Sequence, residues 1–214
     1  MIARRDLLAC GAAVFAALPA RASLPIPASA MLNFRVVRSG SAIGTHALRF
    51  ERQETRLVVN IAVDLAVGIG PIAFYRYRHR ATETWNDGII TAFDAETNDN
   101  GTRSTFALRR ERNQLVVESN RAGRYIAPPE ALPASHWNRR MLDGPFINTQ
   151  TGALMRPTVM RAGVEPLPWA PQRRGQRFVL SGDVALETWY DSAEHWLGLR
   201  FRGEDGSAIH YEIT

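Results

Sequence analysis

Cysteine is almost missing from this chain, and lysine is missing altogether. The single cysteine, Cys10, stands in the first 22 residues. Without that stretch the chain can form no disulfide, no thiol nucleophile and no cysteine-ligated zinc site, so an apolar core has to hold the fold. All 26 basic residues are arginine. Arginine grips carboxylate and phosphate bidentately, but here acids are interspersed with it, and the balance is no nucleic-acid footprint. Also absent are a G-x-S-x-G elbow, an H-E-x-x-H zinc helix, a phosphate-binding glycine loop and a dinucleotide glycine pattern. The five histidines, His46, His79, His136, His195 and His210, are scattered, with no pair at metal-ligand spacing. Neither a metal nor a cofactor is expected.

What is present begins with a leader. Arg4-Arg5 is a charged start, residues 7–18 are a short apolar run, and Ala20-Arg21-Ala22 is an A-x-A cleavage pattern. The run is too short to span a bilayer as a helix, which takes about 20 residues, and the three parts together read as a secretory signal peptide. The arginine pair followed by Leu7, and the Ala/Gly-rich run, resemble a twin-arginine export signal. Ala28-Ser29-Ala30 is a second cleavage pattern. A cut after Ala22 removes three of the 26 arginines and one of the 21 acids, leaving 192 residues at a net charge of +3. That length suits one domain with its own core. An exported, periplasmic location is the expectation, with no integral membrane segment once the leader is gone, and a monomer.

Residues 23–31, rich in Pro, Ala and Ser, read as a tether. A β domain over 32–214 follows. Over 57–67, Leu57, Val59, Ile61, Val63, Leu65 and Val67 alternate with Val58, Asn60, Ala62, Asp64 and Ala66, a period of two that demands a strand with one buried face. Residues 73–85 continue the pattern, with Tyr75, Tyr77 and His79 on one side and Arg76, Arg78 and Arg80 on the other. Further strands are read at 32–38, 43–51, 89–94, 102–110, 115–119, 153–161, 176–184, 185–190, 196–202 and 207–213. Turns such as Asn86-Asp87-Gly88 punctuate them. Two Pro-rich loops, 120–150 and 163–175, interrupt the rhythm. The first holds a short helix over 136–142 capped by Ser135. About eleven strands with short links predict an all-β fold, one strongly curved antiparallel meander sheet forming a half-open or closed barrel, with a two-sheet sandwich as the alternative.

Glu83-Thr84-Trp85-Asn86-Asp87 recurs as Glu187-Thr188-Trp189-Tyr190-Asp191. The echo is read either as a shared way of ending a hairpin or as two aromatic-acidic positions flanking one cleft. Arg76, Arg78 and Arg80 are read as a wet face paired with acids such as Asp64, or as the lining of an anion channel. Ser135-His136-Trp137, near Arg139-Arg140, lies in the longest loop, where a rigid scaffold displays its sites. The candidate ligand-binding residues are Tyr75, Tyr77, Trp85, Asp87, His136, Trp137, Trp189 and Asp191. No catalytic residue is assigned.

Gly44, the strand Tyr75 to Gly88, Thr97 to Gly101, Ser135-His136-Trp137, Trp189-Tyr190-Asp191 and Gly206 to Tyr211 together make the chain resemble a domain-of-unknown-function family of exported bacterial β proteins. The resemblance covers 32–214 and implies fold and export, with no activity to carry over. The functional expectation is a binding or carrier module for an apolar or lipidic small molecule. The alternatives are an envelope structural or interaction protein, and a hydrolase or lyase in which His136 works with Asp87 or Asp191.

Overall fold

The computed structural model describes residues 24–69 and 72–214. The expected leader and the expected cut after Ala22 lie outside the described residues. Fifteen consecutive links join sixteen strands: β1 (Met31–Arg38), β2 (Ser41–Gln53), β3 (Arg56–Ile69), β4 (Ile72–Asn86), β5 (Ile89–Asp99), β6 (Thr102–Glu111), β7 (Gln114–Ser119), β8 (Gly123–Ala127), β9 (Leu132–Pro133), β10 (Phe146–Ile147), β11 (Leu154–Met155), β12 (Thr158–Leu167), β13 (Ala170–Ser181), β14 (Leu186–Tyr190), β15 (Trp196–Arg202) and β16 (Ala208–Ile213).

Thirteen of them form one antiparallel sheet in the order β12-β13-β14-β15-β16-β1-β2-β3-β4-β5-β6-β7-β8. The period-two reading holds on β3 and β4. Leu57, Val59, Ile61 and Val63 are buried while Asn60 and Ala66 are exposed, and His79, Ala81, Glu83 and Trp85 are buried while Arg76, Arg78 and Arg80 are exposed. The last strand pairs with the first, Ile213 opposite Phe34, so the two ends of the domain meet inside the sheet. The free edges, β8 and β12, lie in mid-sequence. The sheet is therefore not closed, and it has thirteen strands where about eleven were expected.

Residues 128–157, between those edges, form a plug. It holds a three-stranded sheet, with β10 parallel to β9 and antiparallel to β11, and a 3-10 helix over Arg139–Asp143. Its Ala131, Trp137, Met141, Leu142, Phe146 and Ile147 belong to the same buried cluster as Phe50, Val59, Trp85, Phe93 and Leu108 of the sheet. Hydrogen bonds pin it in place: Tyr125 Oη donates to the Gly152 carbonyl at 2.7 Å, and Tyr190 Oη donates to the His136 carbonyl at 2.8 Å. Burying one large apolar side chain contributes about 1.5–3 kcal/mol. An exposed ion pair such as Arg124–Glu118 contributes about 0–1 kcal/mol. The inner face, with Trp85, Trp137, Trp196, Phe34 and Phe93 fully buried, carries the stability.

Several local expectations are corrected. The stretch 163–175 is no loop but the distal part of a long hairpin made by β12 and β13. Its Pro166 is tolerated because β12 is an edge strand, where the missing N–H costs no ladder bond on the free side. Residues 120–150 also contain β8, a strand the prolines downstream obscured. The helix begins later than expected and is capped by Asn138, whose side chain accepts from Arg140 N; Ser135 is instead buried in the core. The segment read as a tether packs against the domain. Leu24 is 7% exposed and joins the core cluster, and Ala30 accepts a hydrogen bond from Phe50 N at 2.9 Å.

Candidate functional site

Alternation places the inward side chains in rows that cross the strands. One row reads Ile213, Phe34, His46, Val63, His79, Thr97, Ser104, each opposite the next across β16, β1, β2, β3, β4, β5 and β6. From Phe34 to Ser104 every member is buried, yet four are polar. Toward the β3–β4 turn the next row carries Tyr211, Val36, Leu65 and Tyr77. Gly44 lies in that row between Val36 and Leu65, at φ +154, where an added Cβ would stand 1.9 Å from the Asp64 carbonyl oxygen. Tyr75 lies one step further out. In the opposite direction the rows turn apolar, with Leu48, Ile61, Ala81 and Phe106, and then reach Glu83 and Trp85 against the plug.

His46 is the centre of the polar row. Its ring is edge-on to Trp196 (centroids 5.5 Å apart) and Tyr211 (5.7 Å) and lies 6.1 Å from Phe34. His136, from the plug, stacks on Trp196 at 5.3 Å. Neither ring nitrogen of His46 has a hydrogen-bond partner in the protein, nor has Nδ1 of His136. A buried polar atom without a partner costs about 1–3 kcal/mol, so these atoms stand apart from the satisfied polar groups of the row. His79 differs, since its Nδ1 lies 2.8 Å from Thr97 Oγ1.

Burial, helped by the neighbouring His136 and His79, lowers the His46 pKa to about 3. Burial and the Arg80 guanidinium lower His79 to about 4, and burial alone lowers His136 to about 4. All three imidazoles are neutral at pH 7. Tyr77 is pushed well above the usual phenol range by burial. Tyr75 and Tyr211 are each raised to about 12, again chiefly by burial, with Asp99 beside the Tyr75 hydroxyl. Behind the row, Arg80 donates to the Val63 and His79 carbonyls at 3.0 and 2.9 Å and pairs with Asp64. No group of three or more His, Cys, Asp or Glu among the described residues is arranged to hold a metal ion.

A second polar feature locks the plug. Glu83, completely buried, accepts at Oε2 from the indole N–H of Trp85 (2.8 Å) and of Trp137 (2.9 Å). Its Oε1 has no partner. Burial raises the carboxyl pKa, against the pull of Ser135, Trp85 and Trp137.

The candidate residues thus separate. Tyr77 lies in the row next to His46 with Tyr75 one step further out, and His136 stacks on the same Trp196 that His46 meets edge-on. Trp85 and Trp137 are core side chains bound to Glu83. Asp87 sits in its turn at φ +49. Asp191 is occupied by its own turn, accepting from Ala193 N and His195 N at 2.8 Å and lying 3.0 Å from His195 Nδ1. Neither acid is hydrogen-bonded to His136. The two echoed motifs do not flank one cleft. Glu83 and Trp85 point inward, whereas Trp189 and Glu187 lie on the outer face, Trp189 edge-on to Trp169 at 5.2 Å and Glu187 paired with Arg200. Arg78 and Arg80 point outward onto Asp64. His46 went unread as a site residue, although it falls on the buried register of its strand.

Two surface cavities are also present. One of about 910 Å³ crosses the outer face of β1 to β8 and is lined by polar side chains such as Arg49, Asn60, Arg80, Thr82, Asp94 and Glu96. The other, about 640 Å³, lies between β12–β13 and the 3-10 helix, with Arg139, Arg161, Phe178, Tyr190 and Asp191 on its walls. No helix among the described residues is long and apolar enough to cross a membrane.

Residues 34–214 match the family described as Domain of unknown function (DUF6134), and the chain belongs to that family. A crystal structure of a β-barrel-like protein of domain of unknown function DUF1849 from Brucella abortus superposes with a TM-score of 0.59. The match covers 86% of this chain and 95% of that one at 8% sequence identity, a likeness of fold alone. Comparison with curated proteins finds no significant match.

Proposed function

We propose that this chain is an exported binding module that holds a small, largely apolar molecule with its polar head against His46. The observation that carries this reading is the pair of buried, unpartnered ring nitrogens on His46, 7% exposed, beside the unpartnered Nδ1 of His136. Natural interiors satisfy such atoms, and a bound head group does so here. Phe34, Val36, Val63, Leu65 and Trp196 supply apolar contact, and Tyr75 and Tyr77 stand toward the end of the sheet that carries the β1–β2 and β5–β6 turns. A few convergent polar groups in an apolar surround are the usual make-up of a small-molecule site. The leader supports a periplasmic destination. Cleavage after Ala22 fits the fold better than cleavage after Ala30, because the later cut would remove Leu24 from the core.

Native mass spectrometry of protein purified from the periplasm tests the reading. A retained small molecule, absent from a His46→Leu variant, is the expected result. Bare polypeptide mass in both, with histidine ring ¹⁵N shifts unmoved by an organic extract of the same cells, would sink it. The free edges β8 and β12, which carry exposed Ile126, Met160 and Val164, favour envelope-protein interaction as a second reading, since an unpaired edge can accept another strand.

A further inference from the structure

We infer that the cleft between the β12–β13 hairpin and the 3-10 helix is a second binding site, and that it takes a small oxyanion, a carboxylate or a phosphate ester, carried on an apolar body. The inference does not depend on the reading of His46. Alternation builds one wall of the cleft. Phe178 is buried in the core, so Gln176 and Arg174 share its face of β13. Opposite these three across the ladder stand Arg161, Val164 and Pro166 of β12. The core covers Phe178 but not the positions beyond it. Val164 is 58% exposed, and Arg161 and Arg174 are exposed. The other wall carries Arg139, Asp143, Asp191 and Glu194, and the space between is about 640 Å³, within the usual size of a small-molecule site.

Three arginines and three acids line this cleft, and hydrogen bonding decides which of them are free. Arg139 donates from Nε to Glu194 at 2.6 Å and from its two Nη atoms to Asp143 at 2.8 and 3.4 Å. Asp191 is filled by Ala193 N, His195 N and the His195 ring. Of the six carboxylate oxygens, only Glu194 Oε2 lacks a partner among the described residues. The hairpin wall is the reverse. Arg174 donates to the Val164 carbonyl at 2.9 Å, the Arg161 guanidinium has no hydrogen-bond partner, and neither meets an acid among the described residues. Phe178, opposite Arg161, stands four residues along β13 from Arg174, roughly 13 Å at strand rise, with Val164 and Gln176 between them. An oxyanion seated over Val164 is therefore flanked by two guanidinium forks, the donor geometry that suits carboxylate and phosphate. Its apolar part lies against Val164 and Phe178. A cation at the same place meets two unneutralised arginines, and the acids across the cleft are already held by donors of their own wall.

Titration of the purified protein at low salt with hexanoate, hexyl phosphate and hexylammonium tests this, read by calorimetry and by the arginine Nε–H resonances in NMR. At least one of the two anions is expected to bind about tenfold or more tightly than hexylammonium, the size of one charge-assisted hydrogen bond, and to shift the Arg161 and Arg174 signals. Whichever anion is the tighter tells a carboxylate site from a phosphate-ester site. Replacing both arginines, Arg161→Gln with Arg174→Gln, is expected to abolish binding with near-UV circular dichroism unchanged. Arg124→Gln, at an exposed arginine of β8, is expected to leave it intact, and so is His46→Leu. Anion binding that survives the double glutamine variant overturns the assignment; if His46→Leu then removes it, the anion belongs to the site proposed above. Hexylammonium binding as tightly as either anion, or no binding of either anion at millimolar concentration, overturns it as well and leaves the reading of His46 untouched.

Discussion

Replacing His46 with leucine should make the ligand-free protein more stable, which is unusual for a fully enclosed position. Two ring nitrogens lack partners, and each unmet buried group costs about 1–3 kcal/mol. Leucine removes both costs and keeps apolar contact. Against this stands the loss of edge contacts to Trp196 and Tyr211, about 0.5–1.5 kcal/mol each. The balance is a gain of about 1–3 kcal/mol at pH 7.5, read as an increased urea midpoint at constant slope. The gain should grow in acid. Unfolded histidine takes up its proton near pH 6.5, while folded His46 does so only near pH 3. Between those values the unfolded chain binds more protons, so stability falls as pH falls, by up to about 1.4 kcal/mol per unit for each such group. His79 and His136 add the same trend down to about pH 4. The leucine variant should lose one of three slopes, widening its advantage from pH 6.5 to pH 4. A variant less stable than the parent by 1 kcal/mol or more at pH 7.5 would refute the reasoning, because it would mean that the ring nitrogens are already satisfied in the empty protein.

Three further substitutions probe the inner face around His46. Glu83→Gln keeps an acceptor for the indoles of Trp85 and Trp137 but cannot ionise. Stability linked to the raised Glu83 pKa is fully present below the usual carboxyl range and is lost as pH rises through the folded value, so the glutamine variant should resist that decline. Glu83→Leu strands both indole N–H groups and should cost about 2–6 kcal/mol, read by thermal melting with near-UV circular dichroism. Gly44→Ala must place a Cβ 1.9 Å from the Asp64 carbonyl at a positive φ; a loss of roughly 3 kcal/mol or more, measured by urea unfolding, is expected, and a neutral result would contradict the β2–β3 register.

Much of the fold was legible because alternation is a local property. The burial of Val59 against the exposure of Asn60, and of His79 against Arg78 and Arg80, follows from a period of two that any eleven-residue window displays. The same rule, carried along β2, would have put His46 on the inner face with Leu48 and Phe50. His46 falls in no motif and is marked only by being polar on a buried register. The hairpin of β12 and β13 was lost for the opposite reason. Its prolines signal a loop locally, and only the position of β12 at an edge makes Pro166 harmless.

The amino-acid order alone determined which side of each long strand is wet, that no sulfur bridge can form within residues 32–214, and that neighbouring strands pair antiparallel. Tertiary structure alone decided that β16 closes on β1, that the opening falls between β8 and β12, and that Trp85 and Trp189 turn to opposite faces despite their matching neighbourhoods. It also decided that His46 from β2, His79 from β4 and His136 from the plug share one interior. The reason is physical: side-chain direction repeats every two residues and is written locally, whereas the partners across a curved sheet are chosen by which distant surfaces bury the most apolar area together, and no short stretch of chain encodes that choice.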